Sequence, residues 1–275
     1  EPRAMDDRQA TRFLSLLHDP PAEPSVAGLA AIVAAHLIRI PFENLSKLIR
    51  HARGLPAGIP SLDDYLDRIE HLNLGGTCYA CAGQLNALLR HLGYDARLCG
   101  AAMKRPDVHA VNVVAIAGRD HLVDVGYAAP LREPLPLWGR VASSVDLGNE
   151  SYVLHPRDPE GRSRLDHLRN GEVVHGYTVD PTPRAPCHFA SAIADSFRPE
   201  SEFLNRLRIV RHTKKRSISV RDLTVTVIEG DTVRERLLPG PAALCDVVEV
   251  LFGIPGAVTG EALAALDHRF EDDSG

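Results

Sequence analysis

The chain has 275 residues, 44% of them hydrophobic, a formal net charge of -5 and 5 cysteines. This length can bury a full core spread over two or three lobes without disulfides, and the acidic balance argues against a dedicated nucleic-acid surface, so the run Arg211-His212-Thr213-Lys214-Lys215-Arg216 reads as a solvated turn between strands. No apolar stretch reaches bilayer length, and irregularly spaced cysteines without a secretory pattern at the start predict a reducing, cytoplasmic setting. The first residue, Glu1 rather than Met, reads as a processed or engineered start.

In chain order, the first elements are helical. Phe13, Leu14, Leu16 and Leu17 predict a short helix over 6–17, ended by His18-Asp19-Pro20-Pro21. Leu29, Ile32, Val33, Leu37 and Ile38 keep a 3.6 period over 26–38 until Pro41 stops it. Pro41-Phe42-Glu43-Asn44-Leu45 opens a further segment with Leu45, Leu48 and Ile49 on its buried face, and 54–60 is a loop. Ser61-Leu62-Asp63-Asp64 has the form of a capping start for a helix lined by Leu62, Tyr65, Leu66 and Ile69.

The next stretch, Gly75-Gly76-Thr77-Cys78-Tyr79-Ala80-Cys81, carries the chemistry. Two glycines permit positive φ and close backbone approach, and Thr77 is a competent N-cap. Leu85, Leu88, Leu89 and Leu92 continue an inward stripe that begins with Cys78, Cys81 and Ala82. Unpaired N–H groups at a helix start favour an anion, which suits Cys78 as a thiolate nucleophile. The competing readings are a small buried core residue, or a redox or metal-binding Cys78-x-x-Cys81 pair. Against the last, helix-like residues rather than a strand precede the pair, and His91 and Cys99 are too irregularly spaced to complete a zinc site; Cys81 reads as a neighbour packed one turn along.

After Gly93 the pattern becomes short runs rich in Val, Ile and Leu at 97–103, 109–117 and 121–127, broken by Gly118-Arg119-Asp120, which predicts a sheet. Further strands are expected at 151–155 and 172–179, after a loop imposed by Pro130, Pro134 and Pro136, and Asp180-Pro181-Thr182-Pro183-Arg184-Ala185-Pro186 reads as an internal joint. Beyond it come a short helix at 189–197, strands at 203–212, 217–220 and 223–229, and helices at 242–252 and 261–269. The expected organisation is α/β (α+β): a helical lobe over 1–92, a strand-rich lobe over 93–188 and a mixed lobe over 189–275.

A nucleophilic cysteine needs a base and a group that orients the base. His109 and Asp124 are the candidates, with Asp107 and Asp120 as rival carboxylates. A tight hairpin centred at Gly118-Arg119 places His109 opposite Ala128 and Asp124 opposite Val113. They then share a face but sit four residues apart along the ladder, so contact calls for a bulge or another register.

Taken together, Ile40-Pro41-Phe42-Glu43-Asn44-Leu45, Gly75-Gly76-Thr77-Cys78-Tyr79, His109, Leu122-Val123-Asp124-Val125-Gly126-Tyr127 and Leu251-Phe252-Gly253-Ile254 resemble the arylamine N-acetyltransferase family over nearly the whole chain. The resemblance implies a papain-like Cys-His-Asp triad of Cys78, His109 and Asp124, in a helical bundle, a β-barrel and an α/β lid. It also implies ping-pong transfer from acetyl-CoA or another acyl thioester to an arylamine, hydrazine or N-hydroxyarylamine. The Cys78 N–H would serve as oxyanion donor, and Phe42, Tyr127, Ala128 and Ala129 would line the acceptor pocket. No metal and no resident cofactor is expected.

The chain departs from the family at Leu74, where an Arg usually pairs with the Glu matched by Glu43; Glu43 must then be exposed, protonated or otherwise paired. Ala80, Ala82 and Ala128 replace the family's Glu, Asn and Gly. This pattern suggests retained thiol chemistry with altered substrates. The alternatives are an amide synthase of secondary metabolism fed by an acyl carrier protein, a papain-like cysteine hydrolase, or a silent binding protein on the same scaffold.

Overall fold

The computed structural model describes residues 4–266. Helix α1 (Asp7–Leu16) opens on a capping box in which Asp6 accepts from Gln9 N at 2.9 Å, and α2 (Val26–Arg39) starts where Ser25 accepts from Gly28 N. A two-residue strand β1 (Phe42–Glu43) leads into α3 (Leu45–Ala52). Ser61 caps α4 (Leu62–Leu72), which ends at Asn73 with φ 54°, and α5 (Cys78–His91) follows. The apolar faces of α1, α2, α4 and α5 meet in one core around Phe13, Ile32, Tyr65 and Leu85.

Eight antiparallel strands then roll into a nearly closed barrel: β2 (Asp95–Ala102), β3 (His109–Ile116), β4 (Arg119–Val123), β5 (Leu135–Pro136), β6 (Ser143–Leu147), β7 (Glu150–Leu154), β8 (Ser163–Arg169) and β9 (Glu172–Pro183), in the order β5-β4-β3-β2-β9-β8-β7-β6. Helix α5 lies across β2 and β3. After a short 3-10 turn at Pro186–Phe189 come α6 (Ala190–Asp195) and α7 (Glu202–Asn205). A second sheet, β1-β10-β11-β12-β13, contains β10 (Arg208–His212), β11 (Arg216–Arg221), β12 (Thr224–Glu229) and β13 (Thr232–Leu237), and packs on α8 (Pro241–Phe252) and α9 (Gly256–Ala264). Thus β1 and α3, though early in the chain, share the core of the last elements through Leu45 and Leu48.

Several elements differ from the sequence expectation, each for a physical reason. Strands β6, β8 and β13 carry little apolar alternation, and all six residues of β13 are exposed. The predicted joint at 180–186 is strand as far as Pro183, because a bulge between Cys99 and Ala101 of β2 accommodates the prolines. Phe203 lies in α7, not a strand, since a short apolar run has no decisive period. Val123 ends β4, so 124–127 is a loop. Helix α9 begins at Gly256 instead of 261, and the rest of that predicted helix, 267–269, lies outside the described residues.

Candidate active site

Cys78 is the first residue of α5 and is buried. Thr77 occupies the N-cap position in an extended conformation, but its side chain makes no capping hydrogen bond; its carbonyl accepts from Ala80 N and Cys81 N. Helix α5 is pinned to β3 by buried amides: Asn86 Nδ2 donates to Asn112 Oδ1 at 2.8 Å, and Asn112 Nδ2 donates to Ala82 O at 2.9 Å. Three residues along β3 from Asn112 stands His109. The pinned helix therefore holds Cys78 in fixed relation to His109.

The observed hairpin turn is Ala117-Gly118, with φ of 50° and 72°, and it pairs Ile116 with Arg119 and Asn112 with Val123. Continued past β4, this register faces Asp124 towards Val111, making His109 and Asp124 diagonal neighbours within reach of their side chains. His109 Nε2 and Asp124 Oδ2 are 2.8 Å apart and both side chains are buried. Asp124 Oδ1 accepts from Gly126 N at 2.8 Å, and Tyr177 Oη donates to Asp124 Oδ2 at 2.6 Å. Burial opposes charge on His109, but the charge and hydrogen bond of Asp124, with Cys78, together outweigh it and raise the imidazole to about 10. Gly126 is needed for steric reasons: a Cβ there would lie 2.6 Å from Cys78 Cα.

Rival carboxylates are engaged elsewhere. Asp107 pairs with His188, and Asp120 pairs with Arg97 and Arg157. Cys81 is fully buried, its Sγ 3.6 Å from Gly76 O, and burial pushes its thiol well up. All five cysteines are free. Among the described residues no group of three His, Cys, Asp or Glu is placed to hold a metal ion, and no helix is long and apolar enough to cross a membrane.

Phe42 is buried opposite Val210, its ring 6.0 Å from that of Phe203. Tyr127 is half-buried, stacks on His175 at 5.7 Å and meets Tyr177 edge-on at 4.9 Å. Ala128 takes φ 64°, and Ala129 is buried in the barrel core beside Leu131. Sequence reasoning did not find Tyr177, Phe203 or His175. Tyr177 is 53 residues from Asp124 in the chain, and only the pairing of His109 with Ala101, and of Ala101 with Val179, brings β9 across to it.

Behind Cys78 the chain is organised differently. Glu43 is fully buried; Ser46 N and Ser46 Oγ donate to its two carboxyl oxygens at 2.9 and 2.8 Å, and burial raises its pKa in spite of them and of Arg68. Leu74 is buried with the α3 and α8 core, so it gives Glu43 no charge partner. Lys47 is buried with no carboxylate partner among the described residues, its Nζ 2.6 Å from Ser196 Oγ and 4.5 Å from the centre of the Phe197 ring, and the charge of Cys78 supports its ammonium form.

The model of the N-acetyltransferase family matches residues 25–258. This chain is a member of the arylamine N-acetyltransferase family. It is 28% identical to an arylamine N-acetyltransferase of Mycolicibacterium smegmatis over 249 residues, covering 84% of this chain and 86% of that protein. It is also 28% identical to the proansamycin X synthase of Amycolatopsis mediterranei over 161 residues, covering 56% of this chain and 60% of the synthase. The fold superposes on the arylamine N-acetyltransferase of Mycobacterium marinum in complex with CoA with a TM-score of 0.79 at 23% identity, over 94% of this chain and 98% of that one. In this family member, then, a glycine turn, a helix start and a barrel rim converge on one cysteine.

Proposed function

We propose that this N-acetyltransferase moves an acyl group, typically acetyl, from a CoA thioester to an arylamine, hydrazine or related amine through a thioester on Cys78, with His109 and Asp124 completing a triad. The observation that carries the reading is the buried His109–Asp124 contact at 2.8 Å, set against a cysteine at the start of α5. In the first half-reaction the Cys78 thiolate adds to the donor carbonyl, the bond from that carbon to the donor sulfur breaks, and His109 as imidazolium protonates the leaving thiolate. In the second, the amine adds to the Cys78 thioester, its proton passes to neutral His109, and the Cys78 thiolate leaves. The Cys78 N–H has no partner among the described residues and faces the end of the helix where negative charge is favoured, which suits an oxyanion donor. Phe42, Phe203 and Tyr127 supply aromatic walls for the acceptor, with Ala128 and Ala129 following Tyr127 along the loop.

The likeness to a synthase favours a second reading, in which an acyl carrier protein delivers the chain for amide formation and the small Ala80, Ala82 and Ala128 make room for it. Intact mass after brief incubation with acetyl-CoA and no acceptor tests both. One acetyl group gained by the wild type and absent from Cys78→Ala supports the CoA-dependent transferase. No adduct, from a protein whose Cys78 still alkylates, overturns acetyl-CoA as donor and puts the carrier-fed synthase first. Product formation that depends on amine concentration separates transfer from hydrolysis.

A further inference from the structure

On the far side of Thr77, Tyr79 and Ala80 from the barrel lies a small cavity of about 40 Å3 that neither His109 nor Asp124 lines. Three cations on two helices border it: Lys47 and Arg50 from α3, and Arg68 from α4. Their pairing is incomplete. Lys47 is buried against a hydroxyl, Arg50 uses Nε on Pro56 O, and Arg68 makes no ion pair among the described residues. The acid on the wall, Glu43, accepts one donor on each oxygen from Ser46, and burial drives it towards its neutral form in spite of that and of the Arg68 charge. Lys47, lowered to about 8 by burial, still carries its charge at neutral pH. The Cys78 thiolate supports the Lys47 charge from the barrel side, but no carboxylate among the described residues pairs with Lys47, Arg50 or Arg68, so the cavity wall carries more positive than negative charge.

The space exists because of small residues. A Cβ on Gly76 would lie 3.2 Å from Ala80 Cβ and 4.0 Å from Ser46 Oγ, so the wall closes on a methyl group. Three separate cations facing one void match a group with about two negative charges and several oxygens better than a single carboxylate, which one Arg fork would satisfy. The start of α5 adjoins the wall and adds the partial positive charge of a helix N-terminus.

We propose that this cavity is a phosphate-binding site, held by Lys47, Arg50 and Arg68 behind the nucleophile. The phosphate is either free or part of a CoA-type donor; the second case rests on the transferase reading above, the first does not. Titration of inorganic phosphate at pH 7 and constant ionic strength, followed by 31P NMR and calorimetry, tests it with the full-length protein. Saturable one-to-one binding is expected, weakened at least about fivefold in Arg68→Gln and Arg50→Gln by loss of a charge-assisted contact, and about tenfold or more in Ala80→Glu, which sets a carboxylate on the wall. Displacement of phosphate by CoA, with a raised KM for acetyl-CoA in Arg68→Gln, assigns the site to the donor. Retention of phosphate in the presence of CoA, with an unchanged KM, assigns it to a free ion. Non-saturable binding, or equal affinity in all folded variants, overturns the site, and because phosphate binding needs no acyl transfer, that result leaves the acetyl-adduct experiment independent.

Discussion

The two sides of Cys78 are built on opposite principles. Towards the barrel, polar atoms form a closed set: His109 meets Asp124, and Asp124 receives Tyr177 and Gly126 N–H. Towards α3 and α4, a cavity is bordered by three cations and a carboxyl group satisfied by a serine. A closed network fixes one geometry, whereas an open cationic wall leaves room for a ligand or for substitution. The lesson is that the two faces are free to differ: the barrel face holds its polar groups in one closed set, and the opposite face closes on the apolar Leu74 and Ala80.

The strongest way to break the contrast is Asp124→Asn, which keeps the shape but removes the charge. Transfer is expected to fall on the order of a thousandfold or more, with the far-ultraviolet circular dichroism unchanged; a loss below about tenfold would sink the closed-network account of activation. The same variant has a stability signature. His109 is raised from 6.5 to about 10, so between those values the folded protein holds a proton that the unfolded chain releases. The stabilisation is complete below 6.5 and is lost as pH rises through about 10. Lys47, lowered from 10.5 to about 8, has the opposite slope over part of that range. Denaturant titrations at several pH values, taken as wild type minus variant, cancel Lys47, and the difference should shrink as pH rises; a flat difference contradicts the ion pair.

A smaller effect is expected from Gly126→Ala, because the added methyl group must push Cys78 away. Displacement of a reacting group by an ångström costs on the order of a hundredfold, so transfer should fall by about that factor while alkylation of Cys78 by a small reagent falls less. Equal losses in both would mean that the thiol itself, not its alignment, was disturbed.

The helix start at Cys78 was legible because glycines, an N-cap residue and a leucine stripe coincide there, each pointing to the same boundary. The pairing of His109 with Asp124 was less so. A two-residue hairpin turn one position earlier than expected, at Ala117-Gly118, sets their diagonal contact, and which two residues of a short polar turn take positive φ is not written in hydrophobic pattern. Tyr177 and Lys47 were out of reach for another reason: strand order and packing across 53 and 149 residues of chain create their contacts, and no local periodicity encodes that. Polar, exposed strands such as β13 were missed because they bury nothing that would leave a period of two.

The mildest test addresses the rear wall. Ser46→Ala removes the hydroxyl donor to Oε1 of Glu43, whose carboxyl group has no access to solvent, and leaves the Ser46 backbone N–H on Oε2. A destabilisation of about 1–3 kcal/mol is expected for the unsatisfied group, moderated because burial already favours the neutral form of Glu43. Alkylation of Cys78 should change by less than about threefold, since the lost bond is neutral and lies behind the helix. If it fell as far as in Asp124→Asn, the two sides of Cys78 would be one network and the contrast would fail. If stability dropped while alkylation held, the rear wall would serve the fold and its ligand, and the barrel face alone would serve the sulfur.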